Sequence, residues 1–149
     1  MRAVVQRVSH ASVTVDGAVT GAIDLGLLVL VGAAHADTKA DAEYLARKIA
    51  GLRIFPDGEG KMNLDVVQAG GSILAVSQFT LFGDCRKGRR PSFQAAGRPE
   101  FASPLFDHYV ASTMTLGLSC PTGIFGAMMK VELLNDGPVT LLLDTTKLF

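Results

Sequence analysis

Polar side chains end one of the most apolar segments of the chain. Residues 72–79 are predicted to form a strand that stays apolar until Ser77 and Gln78, and Thr80 follows it. Because alternate strand residues share a face, Ser77 and Phe79 are expected on one face and Gln78 and Thr80 on the other. A hydroxyl and an amide on one face can line a pocket, although polar strand ends usually just meet solvent. These four residues are the first candidate site.

Nucleophilic catalysis is the chemistry that a hydroxyl at this position suggests, with Thr80 as the candidate. A threonine hydroxyl needs a base to activate it, and no His or acidic residue lies beside Thr80 in the sequence. The chain has no GxSxG motif, and His10, His35 and His108 are isolated, without the spacing of a metal site. Phosphate-binding glycine motifs are also missing. We therefore expect neither a metal nor a cofactor.

A second unusual feature is the proline that follows Asn135-Asp136-Gly137. It stands between residues 130–134 and 139–143, which are both predicted to be buried strands. Asn-Asp-Gly is typical of a tight reversal of the chain. A cis Gly137–Pro138 bond would let the neighbouring carbonyls point nearly the same way, as a small acceptor surface. An ordinary β-turn is the simpler interpretation.

Positive charge is concentrated in one segment, although the formal net charge is zero. The basic loop, residues 86–98, contains Arg86, Lys87, Arg89, Arg90 and Arg98. Such a cluster either is a solvated loop or contacts an anionic partner. The two cysteines, Cys85 and Cys120, have no metal-site spacing and are predicted to be reduced thiols.

The elements that must position these residues follow from periodicity and turn signals. Helices are predicted from an Asp37 cap over residues 38–50 and from a Ser103 cap with Pro104 to about Leu116. Strands are predicted at residues 3–8, 11–15, 18–23, 27–31, 52–55, 61–64, 72–79, 130–134 and 139–143. The expected fold is α/β of the α+β type, a mostly antiparallel, barrel-like sheet with two main helices.

Length and composition limit the class of protein. A chain of 149 residues with 48% hydrophobic and 19% charged residues is expected to be a single domain, residues 1–149, with its own core. No uncharged apolar run reaches the roughly 18 residues of a membrane span, and the N-terminal segment alternates like a strand. A cytoplasmic protein without a membrane partner is predicted.

Four segments together resemble one protein family. SQFTL at 77–81, KGRRPSF at 87–93, TGIFGAMM at 122–129 and NDGPVT at 135–140 closely resemble the D-aminoacyl-tRNA deacylases, and so do the opening MRAVVQRVSHASVTVDG and the central LRIFPDGEGKMNL. The similarity covers nearly the whole chain. It implies a homodimer with active sites at the subunit interface that hydrolyses the ester between tRNA and a D-amino acid or glycine.

The resemblance also implies a role for each motif. Ser77, Gln78, Phe79 and Thr80 would line the aminoacyl pocket, with backbone N–H groups near Gln78 and Phe79 facing the substrate carbonyl. Gly137-Pro138 would be cis and would enter the partner's pocket to reject L side chains, steadied by Arg7. Residues Phe125, Gly126, Ala127 and Met129 would hold the terminal adenosine, and Arg86, Lys87, Arg89 and Arg90 would contact tRNA phosphates.

Two other functions stay open at this point. A non-catalytic RNA-binding dimer would keep the fold and the basic loop but would hydrolyse nothing. A general esterase would use Thr80 as its nucleophile. The sequence departs from the family's usual pattern at Cys85, where a small polar residue is common.

Overall fold

A computed structural model describes residues 1–148 of the chain. Strands are the most abundant regular structure in this part, with two helices packed on one side. The elements are β1 (Arg2–Val15), β2 (Ala18–Ile23), β3 (Gly26–Gly32), α1 (Lys39–Ala50), β4 (Phe55–Pro56), β5 (Met62–Leu64), β6 (Ser72–Ser77), a 3₁₀ turn (Phe79–Phe82), α2 (Pro99–Met114) and β7 (Lys130–Asp144).

The main sheet is built around β1. The two strands predicted at 3–8 and 11–15 are one long strand, whose first half pairs with β3 and whose second half pairs with β2. Along its other side runs β7, antiparallel to it, while β6 lies beside β3 in parallel. The predicted fold class is confirmed: a curled, mostly antiparallel sheet with two helices.

Apolar side chains cover both faces of this sheet. In β3, Leu27 and Val29 belong to the core under the helices, whereas Leu28 belongs to a second core on the opposite face. The period of two explains this division, since neighbouring strand residues point to opposite faces. Tyr109 of α2 is fully buried in the first core. Strand β3 is therefore buried on both sides, as its sequence LLVLV predicts.

Helix α1 begins one residue later than predicted. Its N-cap is Thr38, whose hydroxyl accepts from the Asp41 backbone N–H while the Asp41 carboxylate accepts from the Thr38 N–H. The predicted cap, Asp37, is instead buried, with its carboxylate 2.6 Å from the Met1 ammonium and 2.6 Å from the Ala34 nitrogen. The capping-box spacing from Thr38 to Asp41 explains why Thr38 takes this position.

Helix α2 begins earlier than predicted. The expected start at Ser103-Pro104 is wrong, because the helix runs from Pro99, and Pro104 lies inside it. Proline is favoured at the first helical position, so Pro99 is as good a start as Pro104. Pro104 costs only one backbone hydrogen bond near the helix start. Within residues 1–148, neither helix has the length and hydropathy needed to span a membrane.

Strand β7 differs most from the prediction. The chain does not reverse at Asn135-Asp136-Gly137, because β7 continues through it and stays antiparallel to β1 on both sides. The register passes from Asn135 opposite Val8 to Thr140 opposite Gln6, so residues 136–139 stand opposite Arg7 alone. These four residues form the Gly-Pro bulge. A continuous partner strand on one side makes a bulge, rather than a hairpin, the way to accommodate the extra residues.

Candidate active site

The candidate site begins where β6 ends. The strand stops at Ser77, and the Gln78 N–H donates to the Val31 carbonyl at 2.7 Å as the last link to β3. The chain then turns into the 3₁₀ turn, so the predicted sharing of strand faces by residues 77–80 is wrong. Gly32 permits this turn, because a Cβ there would lie 2.8 Å from the Gln78 carbonyl oxygen.

The backbone N–H groups of this turn divide into engaged and unengaged ones. Of the donors predicted near Gln78 and Phe79, the Gln78 N–H is taken by the Val31 carbonyl and is not available to a substrate. For Phe79 and Thr80, the structure gives the backbone N–H no acceptor among residues 1–148. Two adjacent unpaired donors at the edge of a cavity are available to a ligand carbonyl.

The side chains of this turn provide no base. The Gln78 carboxamide nitrogen donates to the Thr80 hydroxyl oxygen. That bond occupies a lone pair on the oxygen that would have to act as the nucleophile. The nearest partner of Thr80 is therefore a neutral amide, which cannot accept its proton.

A cavity of about 760 Å³ lies beside the turn. It brings together two segments that are far apart in sequence, the turn after β6 and the segment before β7. The lining includes all eight residues predicted for the aminoacyl pocket and the adenosine: Ser77, Gln78, Phe79, Thr80, Phe125, Gly126, Ala127 and Met129. Apolar residues and glycines make up most of the rest, and none of the described lining side chains is ionisable.

The second wall of the cavity is the turn at Ile124 to Ala127. Gly126 has φ +75°, a conformation that favours glycine, and the Ala127 N–H donates to the Ile124 carbonyl. The Phe125 ring packs against Phe106 of α2, with ring centroids 6.3 Å apart. This wall therefore presents a partly buried aromatic ring and a flexible Met129 side chain to a ligand.

The Gly-Pro bulge lies apart from this cavity. The Gly137–Pro138 bond is cis, both residues are exposed, and neither lines the cavity of its own chain. Arg7 lies against the bulge: its Nε donates to the Asp136 carbonyl at 2.9 Å and its Nη1 to the Ile54 carbonyl at 2.5 Å. Residue 137 must be glycine, since its φ is +134° and a Cβ would lie 2.8 Å from Arg7 Nη2.

One residue that frames the bulge was missed from the sequence. Asn135 spans its base, because its side-chain nitrogen donates to the Arg7 and Val139 carbonyls at 2.9 Å each. The Thr140 hydroxyl in turn donates to the Asn135 side-chain oxygen at 3.4 Å. These side-chain bonds replace ladder bonds that the bulge removes. The Asn and Thr that flank Gly-Pro were the available signal.

The basic loop is less uniformly cationic than predicted. Arg86 makes a two-pronged contact with Asp84, at 2.9 and 2.7 Å, and these hydrogen bonds hold the pKa of Asp84 well below its usual value of 3.8. Arg86 is therefore largely neutralised within its own loop. Lys87, Arg89 and Arg90 are exposed and have no ion-pair partner within residues 1–148.

The two cysteines are free thiols in different settings. Cys85 is exposed just before the basic loop, whereas Cys120 is buried, which raises the pKa of its thiol to about 12. Within residues 1–148, no cluster of three or more His, Cys, Asp or Glu side chains could hold a metal ion.

Comparison with known proteins identifies the family. The family model described as D-Tyr-tRNA(Tyr) deacylase matches residues 4–144. The chain belongs to this deacylase family. A relative named D-aminoacyl-tRNA deacylase from Koribacter versatilis is 64% identical over the full length of both chains, and one from Thermus aquaticus is 56% identical over 99% of this chain and 97% of its own. The family predicted from the four motifs is confirmed, and with it an ester hydrolase.

Solved structures agree with the deacylase fold. A structure named c-Myc DNA Unwinding Element Binding Protein is 41% identical, with a TM-score of 0.91 over 97% of this chain and 98% of that one. A probable eukaryotic D-amino acid tRNA deacylase superposes with a TM-score of 0.82 over 95% of this chain and 97% of that one. At 16% identity the latter shows the fold alone.

Proposed function

We propose that this deacylase hydrolyses the ester between the terminal ribose of tRNA and a D-amino acid or glycine, as a homodimer. One observation carries the proposal most directly. The cavity combines two unengaged backbone N–H groups, at Phe79 and Thr80, with a lining that has no ionisable side chain. Such a site can bind and polarise an ester carbonyl but contains no group that acts as a general base.

The reaction follows from this arrangement. The Phe79 and Thr80 N–H groups donate to the ester carbonyl oxygen, and they bind it more strongly as negative charge develops there. One such donor is worth about 3 kcal/mol in well-studied hydrolases. The ribose 2′-hydroxyl of the tRNA assists, water takes the acyl group, and the ribose oxygen leaves with a proton. The protein contributes orientation and charge stabilisation.

The other wall suits the terminal adenosine. Phe125 offers a partly exposed ring, and Gly126 and Ala127 add little bulk beside it. A base stacks on such a ring with a gain of about 1–3 kcal/mol. Met129 fills the remaining space with a side chain that adapts its shape. Phosphates further along the tRNA would contact Lys87, Arg89 and Arg90 of the basic loop.

Chirality is enforced by the Gly-Pro bulge of the partner subunit. The bulge is exposed and lies outside its own cavity, so it can act only on a substrate held by another copy. Its backbone would collide with an L side chain, whereas a D side chain points away and glycine has none. Apolar side chains left exposed on β7 and beside the cavity favour such a dimer: Leu134 at 55%, Leu142 at 58% and Met128 at 91%.

Release of amino acid from three substrates tests the function. The protein is incubated with D-tyrosyl-, L-tyrosyl- and glycyl-tRNA, and the uncatalysed loss of each ester is subtracted. We expect the D and glycyl esters to be hydrolysed while the L ester persists. Equal rates for the D and L esters would contradict chiral rejection. Binding of all three without hydrolysis would favour the non-catalytic RNA-binding dimer.

A further inference from the structure

We propose that Phe93 is a positioning residue that joins the basic loop to the 3₁₀ turn, so that phosphate contacts at the loop increase the rate of ester hydrolysis as well as the affinity for tRNA. The inference rests on the proposed function. It assigns a role to a residue that lies between two parts of the site and belongs to neither of their predicted contact sets.

The basic loop is held closed just before Phe93. Asp84 and Ser92 exchange both backbone hydrogen bonds, at 2.8 and 2.9 Å, and Arg86 is fixed to the Asp84 carboxylate. The exposed cations Lys87, Arg89 and Arg90 therefore lie in the part of the chain, residues 85–91, that this bond pair closes. Phe93 follows directly after Ser92, the residue at which this part of the loop is closed.

Phe93 carries that connection into the cavity. Its ring meets the Phe79 ring edge to face, with centroids 5.1 Å apart and planes at 70°, a favoured geometry for aromatic pairs. The same ring lies on Gly83, where a Cβ would approach it to 3.0 Å. Phe93 also lines the cavity. The ring therefore lies against the first residue of the 3₁₀ turn and against Gly83, which follows the turn.

Phe79 is the exposed end of the turn, whereas Arg2 and the buried Phe82 hold its other end. Phe79 is 56% exposed, and the turn that begins with it has no side-chain cap. Two backbone bonds bracket the turn, Gly83 to Thr80 at 2.9 Å and Leu81 to Gln78 at a long 3.4 Å. The N–H groups that stabilise the developing charge belong to Phe79 and Thr80. Small rotations of this turn therefore change the angle at which these groups donate to the ester carbonyl oxygen. Small errors in the orientation of these two donors lower the rate of hydrolysis but leave the contacts between the rest of the tRNA and the protein intact.

The link gives the tRNA body a way to assist the reaction. Binding energy from parts of a substrate remote from the reacting atoms can be used to orient the catalytic groups. Here the phosphates would hold the loop cations, the loop would hold Phe93, and Phe93 would hold the Phe79 ring. A substrate without those phosphates loses this support.

The first test replaces the ring. Phe93→Leu keeps an apolar side chain of similar length but loses the edge-to-face contact, and Phe93→Tyr keeps the ring. With D-tyrosyl-tRNA we expect Phe93→Leu to lower kcat about fivefold to tenfold with KM within about twofold, and Phe93→Tyr to restore most of kcat. Phe101→Leu, at a 40% exposed ring of α2 outside the cavity, is the matched control and should leave both constants unchanged.

The second test measures coupling. Lys87, Arg89 and Arg90 are replaced together by Ala, in the wild-type and the Phe93→Leu backgrounds. In the wild type this should raise KM and also lower kcat severalfold, whereas in Phe93→Leu it should raise KM only. Thermal unfolding of every variant identifies any loss of folded protein.

The outcomes separate the inference from the proposed function. Absence of D-tyrosyl-tRNA hydrolysis by the wild type would overturn the function itself. Wild-type hydrolysis with an unchanged kcat in Phe93→Leu would overturn the inference alone. So would an equal fall in kcat for Phe93→Leu and Phe93→Tyr, or loop substitutions that lower kcat equally in both backgrounds.

Discussion

Asn135 shows how one side chain can set the shape of a backbone element. Its amide donates to the Arg7 carbonyl on β1 and to the Val139 carbonyl at the end of the Gly-Pro bulge. No other described side chain bonds to both. If the backbone of the bulge rejects L side chains, its position must be fixed to a fraction of an ångström, and Asn135 is the residue that can fix it.

The substitution Asn135→Asp tests this directly. A carboxylate has the same shape but donates no hydrogen bond, and its charge repels both carbonyls. We expect the ratio of D- to L-tyrosyl-tRNA hydrolysis to fall about tenfold, since two hydrogen bonds of roughly 1 kcal/mol each are lost. Asn63→Asp is the control, because it makes the same exchange beside Arg53. An unchanged D-to-L ratio would mean that Asn135 does not hold the bulge.

Thr80→Ala separates a nucleophile from a backbone donor. In the proposed mechanism the Thr80 N–H acts and its hydroxyl only accepts from Gln78, so the variant should lose about twofold to tenfold in kcat. In a general esterase with a threonine nucleophile it should lose nearly all activity. Single-turnover hydrolysis of D-tyrosyl-tRNA measures the difference, with Thr115→Ala at the end of α2 as the control.

At the residue scale, the sequence predicted which residues line the cavity but not which of their hydrogen-bonding atoms are free to bind a ligand. All eight predicted pocket residues line one cavity. The engagement of the Gln78 N–H by Val31 was not predictable, because it depends on β6 lying beside β3 in the sheet. Nor could the sequence indicate that Asp84 neutralises Arg86, since both residues belong to a loop without periodicity.

At the scale of elements, the predicted boundaries were wrong where residues typical of a turn or a helix start lie inside a longer strand or helix. Asn-Asp-Gly-Pro has the composition of a reversal, yet β1 extends far enough to pair with both halves of β7. Ser103-Pro104 has the composition of a helix start, yet Pro99 provides the same start earlier. The continuous apolar run of β3 and the helical period of α1 were predicted within a residue or two, because the first fits a strand buried on both sides and the second a helix with one buried face.

Arg2 joins the start of β1 to Asp144 at the end of β7 and to the 3₁₀ turn. Its ion pair with Asp144 makes the stability of the folded protein depend on pH. Its Nε donates to Asp144 at 2.8 Å, its Nη1 to the Leu81 carbonyl at 3.0 Å, and its guanidinium lies 4.5 Å from the centre of the Phe82 ring. Partial burial tends to raise the pKa of Asp144, but hydrogen bonds from Thr146 and Arg2 lower it below 3.8 overall.

The sign of the effect follows from that lowered pKa. A carboxyl with a lower pKa in the folded state stabilises the fold above its unfolded pKa, and this stabilisation is lost as the pH falls through the folded value. We expect the unfolding free energy of the wild type to fall more steeply than that of Asp144→Asn below about pH 4. Urea unfolding from pH 7 to pH 2.5 measures both. Parallel curves would exclude a contribution from Asp144.

At the scale of the whole molecule, residues 130–134 and 139–143 of β7 were predicted to be buried strands, but Leu134 and Leu142 are more than half exposed. An apolar strand without a covering layer is incomplete in a single chain. The sequence pattern could not separate burial within one chain from burial between two, because both select the same residues. The proposed dimer reconciles the pattern with the exposure.

A mixed dimer tests whether the bulge acts on the partner's substrate. Deleting Gly137 and Pro138 should give a protein that hydrolyses L-tyrosyl-tRNA, since nothing then rejects the L side chain. Ala127→Trp should fill the cavity and abolish hydrolysis while keeping the bulge intact. When the two chains are unfolded together and refolded, each mixed dimer contains one open cavity, in the deletion chain, facing one intact bulge.

Comparing hydrolysis of the L and D esters in the mixture distinguishes a bulge that acts across the interface from one that acts within its own chain. If the bulge acts across the interface, an excess of Ala127→Trp chain should suppress L-tyrosyl-tRNA hydrolysis by the deletion chain severalfold while D-tyrosyl-tRNA hydrolysis persists. If the bulge acts within its own chain, the L ester should be hydrolysed at an unchanged rate per deletion chain. Wild-type chain in place of Ala127→Trp controls for chain exchange, and the double variant, which lacks both parts, should suppress nothing. Loss of both activities in the mixture would show that the Ala127→Trp chain disturbs the deletion chain. The experiment is then repeated with Ala127→Phe, which introduces a smaller ring.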